Sequence, residues 1–292
     1  VVSGPASSEL ARRICEGLEA EWIDAQWRTF PDGESLVRID ANVMGKRILL
    51  IQSTYPPVDT HYMQIFLLAS KLSELGAEVF CVIPYMGYSR QDREFIQGEV
   101  VSIGVLGRLL KYCGVKRLVT VDIHSPRALA QIPIEAFSLS AVPLLADYAK
   151  RTLKLRDPIA VAPDQGGAAR VQAFAAIYGC SWLVLSKRRD KMTGEVEITA
   201  TNIDRNSVQN RDIIIIDDIL STGTSLLKAS ELFYRYDVAG ITALCVHPLL
   251  VGNALSKLKE ARIDVIGTNT IPSPISYIDV SRLIVDYFSH GA

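Results

Sequence analysis

The sequence predicts an α/β protein of two tandem domains, each a mainly parallel sheet flanked by helices. Three observations carry this reading. Short, β-rich and continuously apolar runs recur along the chain, as strands buried on both faces do. Helix-like segments alternate with them, which implies crossover βα units. The chain has 292 residues, enough for two domains at roughly 150 residues each.

The elements follow in order. Strand Arg47–Ser53 leads to Thr54, and a helix is expected over His61–Leu75. Strand Glu78–Tyr85 leads to Gly87 and a helix over Val101–Cys113. Strand Arg117–His124 ends in Asp122-Ile123-His124. Beyond a boundary near Ser140 the same grammar returns. Helix Val142–Leu153 precedes strand Ile159–Asp164, helix Gly167–Tyr178 and strand Trp182–Lys187. Strand Asp212–Asp218, helix Ser225–Tyr236, strand Gly240–His247, helix Gly252–Ala261 and strand Asp264–Gly267 complete it. The expected domains are 1–140 and 141–292, similar in grammar without a literal repeat, the last residues being able to pack back on the first. Polar and glycine-rich residues cluster where the strands stop. Open α/β sheets bind ligands beyond the carboxyl ends of their strands.

Composition excludes several classes. Hydrophobic residues make up 49% of the chain and charged ones 22%, which is globular. Lys plus Arg total 31 against 32 Asp plus Glu, a net charge of −1, so non-specific nucleic-acid binding is not expected. No apolar run approaches the ~18 residues of a membrane span. Cys15, Cys81, Cys113, Cys180 and Cys245 are scattered without a CxxC, which predicts a reducing compartment and no disulfide framework. Val1-Val2-Ser3-Gly4 has no basic region followed by an apolar core, so no secretory signal and a cytoplasmic location are expected.

One segment speaks most clearly. The aliphatic run Ile213–Ile216 delivers Asp217 and Asp218 to a strand exit, then Ser221, Thr222, Gly223, Thr224 and Ser225 lead into a helix. Backbone N–H groups at such a helix start cradle phosphate, and the hydroxyls add donors. Adjacent carboxylates accept hydrogen bonds from a vicinal diol. The expected ligand is a sugar phosphate, its phosphate on the loop and its ribose on the acids. A plainly capped helix with exposed acids does not explain aliphatics, acids and a Thr-Gly loop in one register. No GxxxxGK[ST] occurs, so this is not a Walker loop.

This segment resembles the ribose-phosphate-binding fingerprint of type I phosphoribosyltransferases. Four further segments, in family order over nearly the whole chain, make it similar to one family of that fold class, the ribose-phosphate diphosphokinases (phosphoribosyl pyrophosphate synthetases). Phe30-Pro31-Asp32-Gly33-Glu34 is a tight turn with two acids and an aromatic ring; the resemblance implies an ATP element with the ring on adenine. The strand exit Val82–Arg93 carries Arg90 and Gln91 and resembles the second ATP element. Thr120-Val121-Asp122-Ile123-His124-Ser125 sets a His at a strand exit, where the family has a metal-associated His. Asp164-Gln165-Gly166-Gly167 frees the backbone toward an anion, and it resembles the diphosphate loop, whose acid also serves the metal. Ser186–Lys191 is a cationic burst that reads as a flap, and Lys187 and Arg189 match the family's catalytic pair. Each string alone has a bland reading as a turn, a solvated loop or a core histidine; their shared order does not.

The resemblance implies two phosphoribosyltransferase-like domains and a reaction. The diphosphoryl group of ATP passes to the C1 hydroxyl of ribose 5-phosphate, giving 5-phosphoribosyl 1-diphosphate and AMP. It implies Mg²⁺ near His124 and Asp164. ATP would be held by Phe30, Asp32, Gly33, Glu34, Arg90 and Gln91. Ribose 5-phosphate would be held by Arg189, Asp217, Asp218, Ser221, Thr222, Gly223, Thr224 and Ser225, and diphosphate by Asp164, Gln165, Gly166 and Gly167. It further implies a homodimer or higher assembly whose ATP sites draw on a neighbouring subunit, with no nucleic-acid or membrane partner. The alternatives are a phosphoribosyltransferase that consumes the product, a non-catalytic regulatory homologue and a nucleotide-binding transcriptional regulator. The first does not need Phe30–Glu34 or Arg90–Gln91. The second need not keep Lys187, Arg189, His124 and Asp164, and the third lacks an evident basic DNA-reading helix.

Two departures from the family pattern matter. Ser221 stands where another Asp is usual, and Thr224 where a second Gly is usual. Glu94-Phe95-Ile96-Gln97-Gly98-Glu99 replaces a basic stretch, which weakens the regulatory anion site. Little dependence on inorganic phosphate and weak inhibition by ADP are expected; a steep phosphate requirement in steady-state assays would contradict this.

Overall fold

A computed structural model describes residues 1–189, 196–199 and 204–290, with the backbone alone for 187–189 and 196–199. The chain divides into two compact units. The first comprises Val1–Ser140, Thr270–Pro272 and Asp279–Ala292. Its elements are β1 (Val2–Ser3), α1 (Ser8–Gly17), β2 (Ala25–Thr29), β3 (Ser35–Ile39), β4 (Arg47–Ile51), α2 (Val58–Glu74) and β5 (Glu78–Ile83). There follow α3 (Ser102–Tyr112), β6 (Val115–Val121), α4 (Pro126–Ala130) and β7 (Glu135–Leu139). The main sheet has the order β1-β4-β5-β6-β7 with every pairing parallel, and β2 and β3 form a separate antiparallel hairpin. Leu50, Cys81, Ile83 and Leu118 are fully buried in the sheet, and Ile65, Leu68, Ala69 and Leu72 of α2 cover it at i, i+3, i+4 and i+7.

The second unit comprises Ala141–Asn269 and Ser273–Ile278. It contains α5 (Val142–Thr152), β8 (Ile159–Ala162), α6 (Ala168–Tyr178), β9 (Ser181–Val184), β10 (Ser186–Arg189), β11 (Val196–Thr199) and α7 (Arg205–Val208). Then come β12 (Asp212–Leu220), α8 (Thr224–Tyr234), β13 (Gly240–Pro248), α9 (Ala254–Glu260), β14 (Ile263–Thr268) and β15 (Ser276–Ile278). The chain then returns to the first unit as α10 (Ser281–His290). The sheet order is β15-β14-β13-β12-β8-β9, again parallel throughout. β10 and β11 pair antiparallel in a ribbon of their own.

Two differences from the sequence reading have physical causes, and a third concerns helix starts. The expected strand Trp182–Lys187 is two strands in two sheets. Fully buried Leu185 separates them, its N–H still bonded to the Ala162 carbonyl at 2.9 Å as the chain leaves the sheet. β12 runs past Asp218 to Leu220, because β13 continues beside it to Pro248. β8 pairs only with Ile213–Ile215. The two acids therefore sit inside a strand, on the step where its shorter neighbour has ended. The expected helix starting at His61 begins at Val58, and the ones at Val101 and Gly252 begin at Ser102 and Ala254.

Phe233 of α8 is fully buried against the β12–β13 core. Phe233→Ala should lower unfolding free energy by about 3–5 kcal/mol, read as a lower midpoint in chemical denaturation.

Candidate active site

In the second unit the chain leaves β8 toward β9 on one side, and β12, β13 and β14 follow on the other. The reversal falls between β8 and β12, the kind of switch point at which open α/β sheets bind ligands. Asp164 follows β8 in extended backbone, and its Oδ1 accepts the Gly166 N–H at 2.9 Å. A single 3-10 turn, Gln165–Gly167, then feeds α6. Gly167 lies so close to β8 that a Cβ there would come within 3.1 Å of Ala162 Cβ. That approach seats the start of α6 at the strand end.

Beyond β12 the chain turns through Ser221 and Thr222 to Gly223, whose φ of +76° suits glycine and sets the N-cap of α8. No side chain caps this helix. Thr222 Oγ1 and Thr224 Oγ1 lie 3.0 Å apart, and the Ser221 carbonyl accepts the Val251 N–H at 3.1 Å. The helix start thus presents backbone N–H groups and hydroxyls, the donor set of an anion site.

Asp217 and Asp218 occupy the step between these turns. Their side chains are 23% and 9% exposed. The Asp218 N–H donates to Asp217 Oδ1 at 2.9 Å. Burial first, and then the adjacent Asp218 carboxylate, push the Asp217 carboxyl well above the usual range, Asp164 adding to this and Arg170 opposing it. Across the strand pairing Asp217 faces Cys245, whose thiol is pushed up by burial and by both acids. Arg170, in the first turn of α6, brings Nη1 to 3.9 Å from Asp217 Oδ1 and Nη2 to 3.6 Å from Asp218 Oδ2. Sequence reasoning missed this arginine. The signal available was a basic residue in the first turn of a helix that starts from a Gly-Gly turn.

The first unit carries the other expected residues. Gln52, Ser53 and Thr54 after β4 are fully buried and build a polar scaffold. Ser53 Oγ accepts the Tyr85 N–H and donates to the Thr270 carbonyl, and Thr54 Oγ1 accepts the Gly87 N–H at 2.7 Å. Exposed Arg90 and Gln91 follow this pinned turn, and Gln91 Oε1 accepts from Ser102 Oγ. Buried Asp92 accepts from Ser125 Oγ at 2.6 Å, and Ser125 caps α4. The loops of Gln91 and of exposed His124 are thereby tied together. Asp122, at φ +36°, makes the turn that leads to His124, with its N–H on the Leu139 carbonyl.

Phe30, Asp32, Gly33 and Glu34 form the tip of the β2–β3 hairpin, where the Arg28 guanidinium stacks 4.8 Å over the Phe30 ring. Phe30 shares a groove of about 550 Å³ with Leu36, Phe66, Ser70 and Glu74, the last two in the final turns of α2. The loop before Arg90 meets the other end of α2: Tyr88 Oη donates to Asp59 Oδ1 at 2.6 Å. Phe30 thus meets the second half of α2, from Phe66 onward, and the loop before Arg90 meets its first turn. Lys187 and Arg189 lie on β10, with their side chains outside the described residues. The flap residues beyond, from Asp190, also lie outside them. The second strand of that ribbon, β11, runs beside α8.

Comparison with known proteins agrees over nearly the full length. A family described as the N-terminal domain of ribose phosphate pyrophosphokinase matches residues 1–114, and a phosphoribosyl transferase domain family matches residues 141–281. The chain is 35% identical to the ribose-phosphate pyrophosphokinase of Saccharolobus solfataricus, covering 97% of this chain and 98% of that one. It is 36% identical to ribose-phosphate pyrophosphokinase 2 of Archaeoglobus fulgidus, covering 98% of each. The fold matches the crystal structure of phosphoribosylpyrophosphate synthetase from Mycobacterium smegmatis, with a TM-score of 0.87 at 23% identity over 99% of this chain and 96% of that one.

The raised Asp217 carboxyl has a consequence for stability. The folded state keeps a proton that the unfolded chain gives up in the ordinary carboxylate range, so stability falls as pH rises from there through the raised value. Asp217→Asn cannot ionise and should escape that fall. In chelator, thermal midpoints of variant and parent should lie closest near pH ~4, with the difference moving in favour of the variant as the pH is raised toward about 8. A difference independent of pH would contradict the assignment.

Proposed function

The chain belongs to the ribose-phosphate pyrophosphokinase family, and we propose that its residues divide the diphosphoryl transfer as follows. The observation that carries the reading is the switch point of the second unit. There the Asp164 turn, the uncapped start of α8 and the Asp217–Asp218 pair stand on neighbouring strands. Ser221, Thr222, Gly223, Thr224 and Ser225 hold the 5-phosphate on backbone N–H groups and hydroxyls. Asp217 and Asp218 accept hydrogen bonds from the ribose hydroxyls and so turn C1 toward ATP. Asp164, Gln165, Gly166 and Gly167 receive the diphosphate.

The C1 hydroxyl oxygen forms a bond to the β-phosphorus of ATP and gives up its proton to water, as the bond to the α–β bridging oxygen breaks and AMP departs with that electron pair. Such transfer is mostly positioning and charge neutralisation. Lys187 and Arg189 meet the charge that grows on the moving group and the departing oxygen. Among the described residues no cluster of three or more His, Cys, Asp or Glu could hold a metal by itself. This suits Mg²⁺, which takes one or two protein ligands and completes its shell with water and substrate phosphates. Asp164, and His124 through water, would hold it. Bound there, Mg²⁺ would neutralise phosphate oxygens.

Arg90 and Gln91 bind ATP in one chain. The position of Phe30, Asp32, Gly33 and Glu34 on the second half of α2, away from the first turn that the Arg90 loop meets, supports their service to a second copy, and hence a homodimer or larger assembly. No helix among the described residues is long and apolar enough to cross a membrane. The unpaired cysteines fit the reducing cytoplasm.

Purified protein given ATP, Mg²⁺ and ribose 5-phosphate should release AMP in step with 5-phosphoribosyl 1-diphosphate; no AMP would overturn the reading. Lys187→Ala should lower turnover by about 10²–10³, about 3–4 kcal/mol, at an unchanged thermal midpoint. Near-normal turnover would remove Lys187 from the mechanism.

A further inference from the structure

Arg170 is the cation that the proposed reaction leaves unused. Its side chain is 13% exposed, and it issues from the first turn of α6 directly behind the Asp164 turn. Its guanidinium addresses Asp217 with one terminal nitrogen, at 3.9 Å, and Asp218 with the other, at 3.6 Å. Both separations lie within ion-pair range and beyond hydrogen-bond range. A fork at this distance spans both acids without closing on them as a tight bidentate pair would. The arrangement is also costly. Arg170 Nε is buried and has no hydrogen-bond partner among the described residues. A desolvated donor left unpaired destabilises the fold, and a neutral residue here would avoid that.

Geometry explains why a cation is worth keeping. The acids sit on the step of β12, next to each other in sequence and largely desolvated. Nothing else within the pair fixes both side chains on one target, since the Asp218 N–H reaches Asp217 Oδ1 alone and a third group is needed to hold both. Arginine's planar fork reaches both at once, which a lysine ammonium does not. We propose that Arg170 is the positioning residue of the ribose site, holding Asp217 and Asp218 aimed together at the vicinal diol of ribose 5-phosphate. Because it departs from the helix that follows the Asp164 turn, it also couples the geometry of the diphosphate turn to that of the ribose acids. This rests on the reading that the two acids bind the sugar.

Steady-state AMP release from the Mg²⁺-supplied full chain tests it. Arg170→Gln should raise KM for ribose 5-phosphate by about 10–100-fold, while KM for ATP stays within about twofold. Arg170→Lys, which keeps charge and stem, should raise the sugar KM by about 3–10-fold. Adding Asp218→Asn to Arg170→Gln should raise the sugar KM by less than about threefold more, because the two act as one unit. An equal rise in both KM values would assign Arg170 to general structure and overturn the proposal. So would a sugar KM unchanged in both single variants, or fully multiplicative losses in the double variant. If Arg170→Gln does not fold, Arg170→Lys decides by the same two KM values. A parent enzyme that releases no AMP would instead overturn the function itself.

Discussion

Four successive isoleucines, Ile213–Ile216, can be kept from water on both faces only inside a sheet, and this constraint organises the second unit. It makes β12 an interior strand between β8 and β13. Continuing that strand past the end of β8 then forces Asp217 and Asp218 to leave bulk water while still locked to the β13 ladder. In that position burial and the neighbouring Asp218 raise the proton affinity of Asp217, and the pair draws in a guanidinium. The electrostatics of the site thus follow from the lengths of two neighbouring strands.

The two units reach their polar ends differently. In the second, strand order reverses between β8 and β12, and the reversal itself opens the crevice. In the first, strand order advances from β4 to β7 without reversal. There the loops after the strands are shaped by side chains instead. Ser53 and Thr54 pin the Tyr85–Gly87 turn, and Asp92 with Ser125 ties the Gln91 loop to the His124 loop.

What the sequence disclosed and what it hid follow from locality. Interior strands were legible because continuous aliphatic runs have one stable home. The Asp217–Ser225 segment was legible because strand, acids and loop are contiguous. Edge strands were not: β7 mixes half-buried and exposed residues without a period, and β15 is three residues long. Leu283-Ile284-Val285 carries two β-branched residues yet lies in helix α10, where packing on α1 overrides local preference. Arg170 stayed hidden because its partners lie on β12, the fourth strand after it in the chain. The separation of Phe30 from Arg90 is equally non-local, since only the fold shows which part of α2 each one meets.

The first unit is finished by residues made after the second. Helix α10 packs on α1, Phe288 lies over Phe80 at 6.5 Å, and Arg13 pairs with Asp279 at 3.2 Å. Synthesis is vectorial, so Val1–Ser140 emerges from the ribosome without this cover and waits while the whole second unit is translated. At about 5–20 residues per second, the delay is on the order of ten seconds. During it the apolar side of α1 and the ring of Phe80 stand open to chaperones and to other nascent chains.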